Sequence, residues 1–129
     1  MKRSYDAAPD PFALWLNRVG RFLLAALFIL GALQKIVDPA PVMEMLGSIG
    51  VPEQAVWLVA LFNFAAGVAL ILGFALRPLT LTLALYCMAT SYFHFLPDDP
   101  WQMSIVVKNW AIAGGLLCLA GQPQHAAHV

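Results

Sequence analysis

Five polar residues stand where lipid-compatible sequence surrounds them: Lys35, Asn63, His94, Lys108 and Asn109. Two ammonium groups, two amides and an imidazole make a set rich in hydrogen-bond donors and poor in negative charge. Such a set suits an oxygen acceptor, a carbonyl or an anionic head group, better than a metal ion. No catalytic residue can be named from it, because no nucleophile stands paired with a base. The aspartates nearest to it, Asp38, Asp98 and Asp99, are candidates for ion pairs that would offset the lysines.

The competing reading is structural. A lysine about 7–8 Å inside a helix can snorkel, laying its four-carbon stem along lipid and placing its charge at the interface. On that view Lys35 and Lys108 orient the helices, Asp38 pairs with Lys35, and no ligand exists.

The elements that must position these residues follow from hydropathy. The chain has 129 residues, 61% of them hydrophobic and 11% charged, and its mean hydropathy is +0.77. A soluble domain averages about 45–50% apolar and about 25% charged, so this composition belongs in a bilayer. The formal net charge of zero gives nucleic acid no footing. Four segments approach the roughly 20 apolar residues that a spanning helix needs: 19–37, 55–76, 78–96 and 103–121. Asp10-Pro11 has the form of an N-cap followed by proline, so the first helix can start near Pro11. The N-terminus lacks a small-residue cleavage site and is expected to stay as an anchor.

Charge gives the orientation. Lys2, Arg3, Arg18 and Arg21 precede the first apolar segment and Arg77 follows the second, while the connections holding Asp38, Glu44, Glu53, Asp98 and Asp99 have no cation. The positive-inside rule then predicts cytoplasmic termini and two acidic outer connections. In the first of these, Asp38-Pro39 followed by Val42, Met43, Leu46 and Ile49 at helical spacing predicts a short interfacial helix, stopped by Gly50-Val51-Pro52. Met43 and Met45 face different sides of it, which favours packing over copper binding. The expected architecture is all-α: a four-helix up-down membrane bundle with a short interfacial helix in the first outer loop. Residues 1–17 form an N-terminal segment, 18–121 the bundle, and 122–129 a tail.

Small residues at every fourth position, Ala65, Ala69 and Gly73 on the second helix and Ala111 and Gly115 on the fourth, are expected to let helices approach closely. Cys87 and Cys118 form no CxxC and read as buried thiols without a disulfide. His125 and His128 lie in the polar tail and are not expected to bind metal.

The runs RFLLAALFILGALQKIVDP, GVP, NFAAGVALILGFALR, FHF and KNWAIAGGLL, in that order over residues 18–121, resemble the DoxX family. The resemblance implies a four-helix protein of the bacterial inner membrane. Its relatives include a subunit of a thiosulfate:quinone oxidoreductase and membrane partners of sulfur and oxidative-stress proteins. Lys35, Gly67, Gly73, Lys108, Gly114 and Gly115 match family positions. Asn63 departs from the pattern, which often has glutamate there; the two lysines then lack an internal carboxylate. From this comes the leading expectation, a membrane subunit of a redox system that holds a quinone-like ligand, none covalently bound, in an outward-facing polar pocket beside a redox partner subunit. A ligand-free scaffold for partner proteins is the alternative. A small multidrug-type transporter fits less well, since the first helix lacks a carboxylate.

Overall fold

The fold is described from a computed structural model, for Ala8 and residues 10–123. These residues form five α-helices and no strand. They are α1 (Pro11–Val37), α2 (Ala40–Ser48), α3 (Val56–Leu72), α4 (Leu76–Thr90) and α5 (Pro100–Ala120). Short 3-10 turns at Glu53–Ala55 and Ser91–His94 precede α3 and follow α4.

The helix ends follow local chemistry. Asp10 caps α1, its carboxylate accepting from the Phe12 amide at 3.1 Å, and Pro11 occupies a first-turn position whose N–H would have no partner. Asp99 caps α5 in the same way, accepting from Trp101 at 3.0 Å and Gln102 at 3.3 Å. Helix α2 stops at Gly50, whose φ of 78° is open to glycine at no steric cost. There the Val51 amide reaches back to Leu46 O at 3.0 Å, which closes the exposed carbonyls of the last turn. Gly73 (φ 76°) ends α3 likewise.

Packing is pairwise. Helix α1 lies along α3, α4 lies along α5, and α3 touches α4 less extensively. The first pair meets through Ala25, Phe28 and Ala32 of α1 and Ala60, Asn63, Gly67 and Leu70 of α3. Gly67 sets their distance of approach: a Cβ there would stand 2.5 Å from Ile29 Cγ1 and 3.1 Å from Ala25 O. In the second pair Leu83, Ala84 and Cys87 meet Ala113, Leu116 and Leu119. At one end Arg77 Nε donates to Ala120 O at 3.1 Å and Arg77 Nη2 to Gln122 O at 3.4 Å, satisfying carbonyls at and just beyond the end of α5. The Asn17 amide donates to Gln122 Oε1 and so ties α1 to the same end.

The outward surface is apolar. Leu23, Leu30, Leu58, Leu72, Phe74, Leu85 and Val107 are each more than three-fifths exposed, which in water would be a large uncompensated patch. Helix α1, the run Glu53–Leu72 and α5 are long and apolar enough to cross a bilayer. The expected third span, 78–96, is shorter in structure. Helix α4 covers 15 residues, about 22 Å. Thr90 Oγ1 bonds to Tyr86 O (2.9 Å) and Ser91 Oγ to Cys87 O (2.9 Å), and such back-bonding loosens a helix end. The chain continues as a 3-10 turn that adds about 8 Å.

Two packing expectations are corrected. Ala65, Ala111 and Gly115 are exposed, and nothing approaches a Cβ on Gly114 or Gly115 within 4 Å. Gly73 is a turn residue. The buried face of α3 instead runs through Asn63, Gly67 and Leu70, because every face of this helix is apolar and periodicity cannot distinguish them. Cys87 is a buried free thiol, as expected, but Cys118 is exposed. His125 and His128 lie outside the described residues.

Candidate functional site

Within α1, side chains lean back towards the N-terminus, so a residue lies over the one four positions before it. Lys35 therefore lies over Gly31, which has no side chain to meet it, and its ammonium donates to Gly31 O at 3.2 Å. Helix α3 brings Asn63 to the same place. A Cβ built on Gly31 would stand 3.6 Å from Asn63 Nδ2 and 3.7 Å from Lys35 Nζ, and no other atom facing it comes within 4 Å. Two N–H donors from different helices thus converge on a small notch floored by glycine.

Asn63 is only 3% exposed and its Oδ1 has no hydrogen-bond partner. A buried, unpaired carbonyl costs roughly 1–3 kcal/mol, so the fold tolerates an expense here that an apolar side chain would avoid. The amide also interacts with the Tyr86 side chain of α4. The Tyr86 ring lies between Phe62 (centroids 5.3 Å apart) and Phe28 (6.5 Å) and carries the second helix pair onto the first.

The remaining candidates are placed elsewhere. Lys108 is exposed on α5, close enough for its charge to act on the Cys87 thiol beside Tyr86. It is not among the atoms that face Gly31. Asn109 is half-buried next to it. His94 Nδ1 pairs with Gln102 Oε1 at 2.8 Å; since that oxygen can only accept, Nδ1 carries the proton. This bond links the end of the 3-10 turn to α5. The expected ion pairs are not formed. Lys35 turns to Gly31 rather than Asp38, Asp99 is a helix cap, and Asp98 is exposed in the turn before it. Among the described residues no three His, Cys, Asp or Glu side chains gather in a group that could hold a metal ion.

Of the residues named from the sequence, the structure brings Lys35 and Asn63 together; Gly31, Phe62 and Tyr86 beside them were not named. The Gly31–Lys35 spacing was a usable signal: glycine four positions before a membrane lysine leaves room for its stem. Nothing in the sequence marks Tyr86 among the aromatics of the apolar runs.

Long apolar helices with a lipid-compatible surface, enclosing a few polar groups, define a helical membrane protein. The chain belongs to the DoxX family, whose model matches residues 16–96. It is similar to the inner membrane protein YqjF of Escherichia coli (strain K12), 33% identical over 103 residues that cover 79% of each chain. No solved structure matches it.

Proposed function

We propose that this protein is a membrane subunit of a bacterial redox system that holds a quinone-like ligand by its oxygen in the notch over Gly31. The observation that carries the reading is that Lys35 Nζ and Asn63 Nδ2, from two helices, both stand beside the side-chain-free face of Gly31 inside an apolar helix pair. Both groups donate, so the atom they hold accepts, and a carbonyl oxygen is the neutral acceptor that reaches such a depth. A lysine cation also stabilises negative charge that develops on that oxygen during reduction. The chain's own part is to bind and orient; a partner subunit supplies the redox centre.

In this reading the helices form a four-helix up-down bundle in the inner membrane, with α2 at the outer interface. The arginine-bearing end, with Arg18, Arg21 and Arg77, faces the cytoplasm and the carboxylate-bearing end faces out. The similarity to an inner membrane protein supports the location. Lys108, exposed on α5 and not among the atoms facing Gly31, does not hold the ligand in this reading.

The test is native mass spectrometry of the protein extracted in mild detergent from its own membrane. A bound quinone mass is expected, lost in Lys35→Met and retained in Lys108→Met. Protein partners with no small molecule would favour the scaffold alternative. A bare chain would overturn the proposal.

A further inference from the structure

Asn63 is the one polar residue on the buried face of α3. Its carboxamide has two chemically opposite ends. Nδ2 donates and stands beside the side-chain-free face of Gly31, whereas Oδ1 accepts and is buried with no hydrogen-bond partner. A half-turn about the Cβ–Cγ bond exchanges the two, because the NH2 group and the oxygen fill nearly the same volume. No hydrogen bond at Oδ1 opposes that half-turn. Nor does Tyr86 hold the amide to one orientation. Its side chain interacts with Asn63, and a phenol hydroxyl can donate to an oxygen or accept from an N–H.

Lys35 has no such freedom. Its ammonium, turned onto Gly31 O at 3.2 Å, donates and never accepts. The two residues therefore ask different things of a ligand oxygen. Lys35 needs a lone pair, which a carbonyl and a hydroxyl both offer. Asn63 can meet a lone pair with Nδ2 or a hydrogen with Oδ1. Two fixed donors would instead leave the hydrogen of a hydroxyl facing apolar side chains, a buried donor without a partner. A leucine in place of Asn63 would serve neither form, and a carboxylate only the hydroxyl.

We infer that Asn63 adapts the site to both members of a carbonyl–hydroxyl pair. With Nδ2 beside Gly31 it donates to the carbonyl of a quinone-like ligand. With the amide turned, Oδ1 accepts from the hydroxyl of the reduced form, and Lys35 holds the ligand oxygen in both. This rests on the pocket reading above and adds which forms of the ligand the site holds. In the hydroxyl form the buried Oδ1 gains the partner it lacks, so the reduced form is not penalised.

The test uses the full chain in lipid nanodiscs, without oxygen, with a short-chain benzoquinone and its hydroquinone. Wild-type affinities for the two are expected within about threefold of each other. Asn63→Asp, which can only accept, should weaken the quinone at least tenfold relative to the hydroquinone. The chain has three asparagines, Asn17, Asn63 and Asn109, so side-chain 15N labelling gives three NH2 signals, and the one lost in Asn63→Leu is assigned. In the wild type that signal should show a hydrogen-bonded proton shifted downfield with the quinone, and that shift should be gone with the hydroquinone. This measurement decides the question even where Asn63→Asp does not fold. A wild type that binds the quinone at least tenfold tighter than the hydroquinone would overturn the inference and leave the pocket reading standing. So would an Asn63 signal that is the same in both complexes, or an Asn63→Asp variant that folds and loses both ligands equally. Absence of binding by both forms would remove the pocket reading and this inference together.

Discussion

Gly31→Ala separates binding from folding at this site. Glycine inside a helix costs roughly 0.5–1 kcal/mol relative to alanine, so the substitution should leave α1 as stable as before or slightly more so. The new methyl would stand 3.6 Å from Asn63 Nδ2 and 3.7 Å from Lys35 Nζ, ordinary contact that displaces neither. A ligand oxygen in the same notch needs hydrogen bonds of about 2.7–3.2 Å to those nitrogens, and the methyl takes that volume. Losing one bond to a charged donor, about 1.5–3 kcal/mol, and one to a neutral donor, about 1 kcal/mol, weakens affinity on the order of a hundredfold or more. Titration of a short-chain benzoquinone by calorimetry in detergent, with thermal unfolding of the same samples, measures both quantities. Unchanged affinity with an intact fold would refute the placement of the ligand. A midpoint lower by several degrees would refute the claim that the notch is empty.

Asn63→Leu removes a buried acceptor with no partner and loses one inter-helix polar contact worth about 0.6 kcal/mol in membranes. Stability to denaturing detergent should rise by about 0.5–2 kcal/mol while quinone binding is lost; a clear fall in stability would mean that Oδ1 is satisfied. Gly67→Ala drives a methyl to 2.5 Å from Ile29 and 3.1 Å from the Ala25 carbonyl. It should cost about 1–3 kcal/mol by overpacking, read as a lower thermal midpoint. Ala75 sits at φ 47°, a left-handed conformation costing a non-glycine residue about 1–2 kcal/mol. Ala75→Gly should therefore raise the midpoint, and an unchanged or lower value would count against strain in the α3–α4 turn.

The sequence reading and the structure part at identifiable residues. The cap at Asp10-Pro11, the short helix after Pro39 and the stop at Gly50 are local chemistry, readable without any tertiary context. The small-residue stripes misled because lipid rewards apolar side chains on every outward face. Ala65 and Ala66, or Gly114 and Ala113, are equivalent to a hydropathy pattern, yet only Ala66 and Ala113 are buried. The ion pairs misled because sequence proximity of Lys35 to Asp38 says nothing about direction. The lysine stem leans towards the N-terminus and so finds Gly31, not the aspartate beyond it.

By itself, then, the sequence determined the solvent, the helical class and the two lysines, two asparagines and one histidine that interrupt the apolar runs. Composition and local backbone rules act along the chain and are written in it. Only the tertiary structure decided that Lys35 and Asn63 meet beside Gly31 and that Lys108 and His94 do not join them there. It also decided that the α3 alanines line a groove beside α4 instead of a helix contact. Those facts depend on the rotation of each helix about its axis, set by the approach of α1 to Gly67 and by Tyr86 crossing between the pairs. Apolar periodicity carries no information about that rotation when every face is compatible with lipid.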